Sequence, residues 1–226
     1  MPLRILLVTA TNAEADTLRQ MTGIKNSPSG YKFDDHEIIS IVTGVGTVAT
    51  AWTMAKWISS GLKPDLAVNI GIAGSFRDEF LKGDVVVPVS DCFADAGIDT
   101  PEGFLTLAEA GLEDPDRFPF SRGRILADNR FIKSAVKLLE PVNAITVNTI
   151  TGSQEAIDRL LKKYQPDIET MEGAAFFYVC SREKIPFLAI RSVSNKVEPR
   201  NKERWEMDLA LSNLQKKLKE LFQLFE

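Results

Sequence analysis

Two acids stand where an apolar run hands over to a helical pattern. Glu14 follows the run at residues 4–10, and Glu172 follows Asp167-Ile168-Glu169-Thr170-Met171. Ligands in open α/β sheets gather at the carboxyl ends of strands, so both acids are candidates for proton transfer or ligand binding. A plainer reading also stands for each taken alone, because helix N-termini favour acids. A third candidate is Asn195, in a stretch (residues 191–200) that leaves an apolar run and turns densely polar. Its amide is placed to meet a ligand at a strand end, although Ser194 or Asn195 capping a turn would fit as well. The single histidine, His36, lies in the charged turn Asp34-Asp35-His36-Glu37 and reads as a surface residue. A His-rich metal site is therefore excluded, and a Ser-His-Asp triad would lack a well-placed base. Acid–base work must fall to carboxylates and amides, and no metal or cofactor is expected.

Two glycine segments add to this. Gly44-Val45-Gly46-Thr47-Val48-Ala49 matches the strand–GxGxxA–helix pattern of dinucleotide folds. The acid expected about 20 positions later should end the second strand, but Asp65 precedes its strand and could not reach a ribose. A tight turn with close helix packing explains these glycines at least as well. The second segment, Asn69-Ile70-Gly71-Ile72-Ala73-Gly74-Ser75, reads as a turn after a strand, open to either a packing or a ligand-binding role.

The elements that must position these residues alternate along the chain. Strands are expected at 4–10, 37–43, 65–70, 84–89, 144–150 and 186–193. Helices are expected at 12–21 (Asn12 as N-cap), 47–59, 153–164 (Ser153 as cap) and 172–184. A last helix carries Met207, Leu211, Leu214, Leu218, Leu221 and Phe225 on one stripe. Pro88 suggests a sheet edge or the end of pairing. Fully apolar strands alternating with helices imply an α/β fold whose sheet is covered on both faces. The polar, Gly- and Pro-rich stretch 91–124 is long for a connector and reads as a functional loop or lid. There is no repeat or linker, so one domain, 1–226, is expected.

Composition narrows the function classes. The 226 residues carry 27 Lys+Arg against 31 Asp+Glu, a net charge of −4, with 44% apolar residues. That is enough apolar material for one sizeable core and too little positive charge for a nucleic-acid binder. No run approaches the roughly 18 apolar residues of a membrane helix, and Met1-Pro2-Leu3-Arg4 opens a strand rather than a signal peptide. Cys92 and Cys180 are far apart and belong to no CxxC, which fits a reducing cytoplasm.

Taken together and in order, these pieces resemble the nucleoside phosphorylase/nucleosidase superfamily. They are Ala10-Thr11-Asn12-Ala13-Glu14, Thr43-Gly44-Val45-Gly46, the Asn69 segment through Gly74, Gly83-Asp84-Val85-Val86-Val87-Pro88, Glu169-Thr170-Met171-Glu172-Gly173-Ala174-Ala175 and Arg191-Ser192-Val193-Ser194-Asn195. The resemblance is to its hydrolytic branch and implies a three-layer sandwich with a central mixed, partly barrel-like sheet flanked by helices. Glu14 then matches the acid that activates a water, and Met171 with Glu172 the ribose clamp. Ile72, Ala73 and Gly74 match the turn beneath the sugar, and Ile150 a backbone contact to the purine.

Methylthioadenosine/S-adenosylhomocysteine nucleosidases carry an acid where this chain has Asn195. In that departure, and in Ser194-Asn195-Lys196-Val197-Glu198-Pro199-Arg200-Asn201 with Trp205, the chain resembles the branch that hydrolyses futalosine and releases hypoxanthine on a route to menaquinone. An amide NH₂ donates to the two acceptors N7 and O6 of a 6-oxopurine, whereas a carboxyl suits adenine. Arg200 and Arg204 are the candidates for that substrate's carboxylate, with Trp205 as a wall for its phenyl ring. Phosphorylases need arginines near the glycine turns, and none occurs at 43–46 or 69–75, which points to water as the nucleophile. A nucleosidase or phosphorylase for inosine, guanosine or methylthioadenosine is the nearest alternative, and a nucleotide-binding oxidoreductase a more distant one. The resemblance also implies a homodimer or larger homo-oligomer, with a small nucleoside as the only other partner.

Overall fold

The computed structural model describes residues 2–199 and 202–225. The first apolar run forms β1 (Arg4–Thr9), and α1 (Asn12–Arg19) follows it. The N-cap is Thr11, not the expected Asn12. Thr11 Oγ1 accepts from the Glu14 N–H while the Glu14 carboxylate accepts from the Thr11 N–H, a capping box that Asn12 could not build with Glu14 only two residues on.

An antiparallel pair that the periodicity did not reveal, β2 (Lys25–Ser27) and β3 (Gly30–Phe33), leads into β4 (His36–Val42). His36 is buried rather than on the surface, because its Nδ1 accepts the Leu3 N–H at 3.1 Å and closes the start of β1. Asp65, considered for a ribose, accepts the Arg4 N–H at 2.8 Å instead.

After α2 (Thr47–Ile58) comes β5 (Leu66–Ser75), which runs straight through the segment expected to turn. Its glycines are strand residues that neighbouring side chains approach closely. β6 (Val85–Asp91) contains Pro88 in its interior, opposite Val142 and beside a bulge between Val142 and Asn143, where a missing N–H is tolerated. The stretch 91–124 is less of a loop than expected: β7 (Gly97–Thr100) and β8 (Gly103–Thr106) form a hairpin, and β9 (Phe120–Ser121) pairs with β10 (Arg124–Leu126), which joins β6.

The remaining elements are α3 (Arg130–Ala135), β11 (Glu140–Thr146), α4 (Gln154–Tyr164), β12 (Ile168–Thr170), α5 (Gly173–Arg182), β13 (Phe187–Lys196) and α6 (Met207–Gln223). Ser153 caps α4 as expected. β11 ends earlier than expected because Asp95 takes the Asn148 N–H, which leaves Ile150 in a loop. β13 continues past Val193 as far as Lys196.

The sheet is mixed and closes on itself at one end. β5 pairs with β12, β12 with β11, β11 with β6, β6 with β13, and β13 with β5 again. Ala73, Val86, Val142, Ala144 and Ile168 from this ring pack together. β1 pairs in parallel with β4 and β5 and carries the open wing. Helix α1 packs against α6 and α2 against α5, so the helices cover both faces of the central sheet.

Candidate active site

A cleft of about 180 Å³ lies where β1, β5, β12 and β13 end. It gathers Glu14, Ile72, Ala73, Gly74, Ile150, Met171, Glu172 and Asn195, all of which the sequence had singled out. Trp205 lines it too. Arg204 does not: it pairs with Glu198 at 3.1 Å, with 64% of its side chain exposed. Arg200 lies outside the described residues.

The capping box that starts α1 also aims Glu14. Its Oε2 accepts from the Ala10 N–H at 3.0 Å, the Thr11 N–H at 2.9 Å and the Thr11 hydroxyl at 3.0 Å. Oε1 is left facing β5. It can do so only because residue 71 is glycine, since a Cβ there would come within 2.6 Å of Oε1. Glu14 is buried and lines the cleft, with Oε2 fully engaged and Oε1 without a hydrogen bond to the described residues. That is the arrangement of an acceptor for a water proton.

Glu172 is the N-cap of α5, and its Oε1 accepts the Gly46 N–H at 2.8 Å. The glycine turn therefore holds an acid of the site and does not present that N–H to a pyrophosphate. The oxidoreductase alternative loses its support here. Burial pushes the Glu172 carboxyl above its usual range, the Gly46 bond and Arg191 pull it back, and Glu14 pushes it up again.

Arg191 was missed by the sequence reading, although a lone charge within the apolar run Phe187-Leu188-Ala189-Ile190 was a signal. It is 2% exposed and donates to the Asn69 carbonyl at 2.9 Å, to the Ile190 carbonyl at 2.9 Å and to Asn69 Oδ1. Burial lowers its affinity for its proton, while Glu172, Glu14 and Asp91 raise it. One guanidinium is thus within electrostatic reach of three acids. Asp91, behind it, is buried completely with Oδ2 unpartnered, and burial pushes its carboxyl up to about 7.

Asn195 owes its aim to a β-bulge. Val193 pairs with Ala73 and Asn195 with Gly74, so Ser194 is one residue too many for the ladder. Bulges re-aim side chains in this way. The Ser194 hydroxyl then donates to Asn195 Oδ1 at 2.8 Å, and Nδ2 donates to the Lys196 carbonyl at 3.0 Å. With the carbonyl end occupied, the remaining N–H of the amide is the group offered to a ligand.

The model of the Phosphorylase superfamily matches residues 4–226. The chain belongs to that superfamily. Among its relatives, the futalosine hydrolase of Acidothermus cellulolyticus is 30% identical over 95% of this chain and 88% of its own. A 5′-methylthioadenosine/S-adenosylhomocysteine nucleosidase of Buchnera aphidicola is 28% identical over 86% of this chain and 85% of its own. In fold, the chain is similar to the native structure of futalosine hydrolase of Helicobacter pylori, with a TM-score of 0.80 at 18% identity, covering 97% of each chain.

Proposed function

We propose that this chain is a nucleosidase that hydrolyses the N-glycosidic bond of futalosine and releases hypoxanthine. Membership of the superfamily and the hydrolases and nucleosidases among its relatives support the coarser part, an N-glycosyl hydrolase. The observation that carries the finer part is Asn195: an amide, with its carbonyl held by Ser194, offers N–H to a base with acceptors at N7 and O6. An adenine would present its 6-amino group to that donor and leave one of them unpaired.

The residues divide the reaction between them. Glu14 Oε1 takes a proton from water, whose oxygen forms a bond to the sugar's anomeric carbon. The bond from that carbon to the base nitrogen breaks, its electron pair goes to the purine, and the remaining N–H of Asn195 stabilises the charge there; the purine then takes a proton from solvent to leave as hypoxanthine, and Glu14 returns its proton to solvent. Glu172 accepts from sugar hydroxyls and, with Met171 against the apolar face of the sugar, opposes the positive charge that develops there. Ile72, Ala73 and Gly74 form the floor, and Ile150 lies beside the base. The carboxylate of the substrate falls to Arg200 or Arg204. Arg204 would exchange Glu198 for it, and exposed ion pairs of this kind are worth only about 0–1 kcal/mol.

This reading makes the chain one cytoplasmic domain that works as a homo-oligomer without metal or cofactor. Among the described residues no helix is long and apolar enough to cross a membrane. Exposed Val45, which lines the cleft, and exposed Val48 and Trp52 on α2 are apolar surface that a second copy would cover. Chromatography of the products from futalosine, inosine and methylthioadenosine tests the assignment. Hypoxanthine from futalosine should appear with a kcat/KM at least about tenfold above the others; faster release of adenine from methylthioadenosine would reject it.

A further inference from the structure

Asp91 takes no part in the reaction above, yet it touches the helix that follows Glu172. It ends β6 and is 1% exposed. Its Oδ1 accepts from the Cys92 N–H at 2.8 Å and from the Thr146 hydroxyl at 3.0 Å. Its Oδ2 has no hydrogen-bond partner among the described residues. That oxygen fills the space a side chain on residue 173 would need: a Cβ there would overlap Oδ2 and lie 2.9 Å from Thr170 Oγ1. Residue 173 is glycine, and the Asp91 carboxylate packs against this first residue of α5. A buried acid without an ion pair is costly; the hydrogen bonds it makes show what it holds.

Those bonds lead to the first turn of α5. An α-helix leaves its first N–H groups without partners, and the N-cap side chain usually accepts one of them. Glu172 is the N-cap here and makes no such bond. Two threonines take its place. Thr146 ends β11 and Thr170 ends β12, opposite each other in the parallel ladder. Thr146 Oγ1 accepts the Ala174 N–H at 2.7 Å, and Thr170 Oγ1 accepts the Gly173 N–H at 3.2 Å. The Glu172 carboxylate is thereby free to turn from its own helix to the Gly46 N–H. A hydroxyl has a single hydrogen. Thr146 gives its hydrogen to Asp91, so its lone pairs face Ala174, and Thr170 is left to donate across the 3.3 Å between the two hydroxyls. Without an acceptor at residue 91, the Thr146 hydrogen would turn toward Thr170 and the order of this relay would be lost.

We propose that Asp91 is a positioning residue: through the Thr146 hydroxyl it fixes the start of α5, and so the place of Glu172 at the sugar, an inference that rests on the role given to Glu172 above. The acid is then held at both ends, its carboxylate by the Gly46 N–H and its backbone by the relay from β6. Asp91 does not line the cleft, so it acts on the nucleoside only through α5. Arg124 and Arg191 lie within electrostatic reach of Asp91, and the test must therefore separate its charge from its hydrogen bond.

Steady-state hydrolysis is compared for the wild type, Asp91→Asn, Asp91→Val and Thr146→Val, each also combined with Glu172→Gln. The substrate is whichever of futalosine, inosine and methylthioadenosine the wild type cleaves fastest, so the comparison does not depend on the base. Asp91→Val leaves the Thr146 hydrogen without its acceptor and should lower kcat/KM about tenfold, the span of one buried hydrogen bond. Thr146→Val cuts the same link from the other side, should cost at least as much, and carries the test if valine at 91 does not fold. Asp91→Asn removes the charge but keeps an oxygen for Thr146 and Cys92, and should recover most of the loss. With Glu172→Gln in place, either valine variant should change kcat/KM by less than about twofold, because the acid it positions is already gone. Equal losses in both backgrounds would show a merely structural role and overturn the inference. So would folded valine variants at the wild-type rate, or an asparagine variant as slow as valine. If Glu172→Gln alone hydrolyses at the wild-type rate, the role of Glu172 falls and this inference with it, an outcome distinct from equal losses.

Discussion

The N–H of Gly46 and Oε1 of Glu172 are joined at 2.8 Å across 126 positions of the chain. The bond fixes the acid at the start of α5 from a turn that follows β4, and under the proposed function Oε2 is the oxygen that accepts from a sugar hydroxyl. Glu172→Gln keeps an oxygen for Gly46 and puts a donor where the second acceptor was. We expect kcat/KM to fall about tenfold to a hundredfold with the melting temperature nearly unchanged. Unaltered kinetics would show that Glu172 serves the turn alone.

Glu14→Gln should abolish most hydrolysis while binding persists. General-base catalysis contributes roughly 100- to 10,000-fold, and the amide can still accept from Ala10 and Thr11. Single-turnover rates alongside inhibitor binding separate the two effects. A rate within about a factor of two of the wild type would remove Glu14 from the chemistry.

Asn195→Asp should move preference from hypoxanthine toward adenine nucleosides, because a carboxylate repels O6 and accepts from a 6-amino group. Competition between nucleosides with the same 5′ substituent measures the ratio. If it does not move, the amide belongs to the bulge and not to the base.

Asp91 makes stability depend on pH. Its carboxyl titrates near 7 in the folded protein, against 3.8 as the ordinary value. The folded state therefore holds the proton more tightly, and the stability linked to it is full below about pH 4 and is lost as the pH rises through about 7. Asp91→Asn has no charge to bury and should be more stable than the wild type at about pH 8, by up to about 4 kcal/mol. That gain should shrink toward zero near about pH 4. Melting curves of both proteins across this range decide it; a constant offset would mean that Asp91 ionises freely.

Arg200→Gln and Arg204→Gln should be compared on futalosine and inosine. Loss of the arginine that holds the carboxylate should raise KM for futalosine on the order of tenfold and leave inosine nearly untouched. Equal slowing of the two substrates by both variants would place the tail elsewhere.

Much of the frame was legible in the sequence because burial on both faces leaves unbroken apolar runs, as in β1 and β13. The candidate site was legible where strand ends met acids and amides in family order. What escaped depends on partners distant in the chain. The segment from Asn69 to Ser75 reads locally as a turn, and only the flanking β12 and β13 make it a strand. The extra residue at Ser194 has no signature outside its pairing with Ala73 and Gly74. His36 looked solvated until the Leu3 N–H gave it a buried partner. Arg191, and Glu169, which lines the cleft, were read only as members of their segments and given no role of their own.

The ring of β5, β12, β11, β6 and β13 braces every rim residue from two sides and offers no loose border for a foreign strand to zip onto. Exchanging a side chain at such a rim retunes which molecule is held without slackening the frame beneath it. Backbones built in this way stay superimposable long after most of their letters have changed.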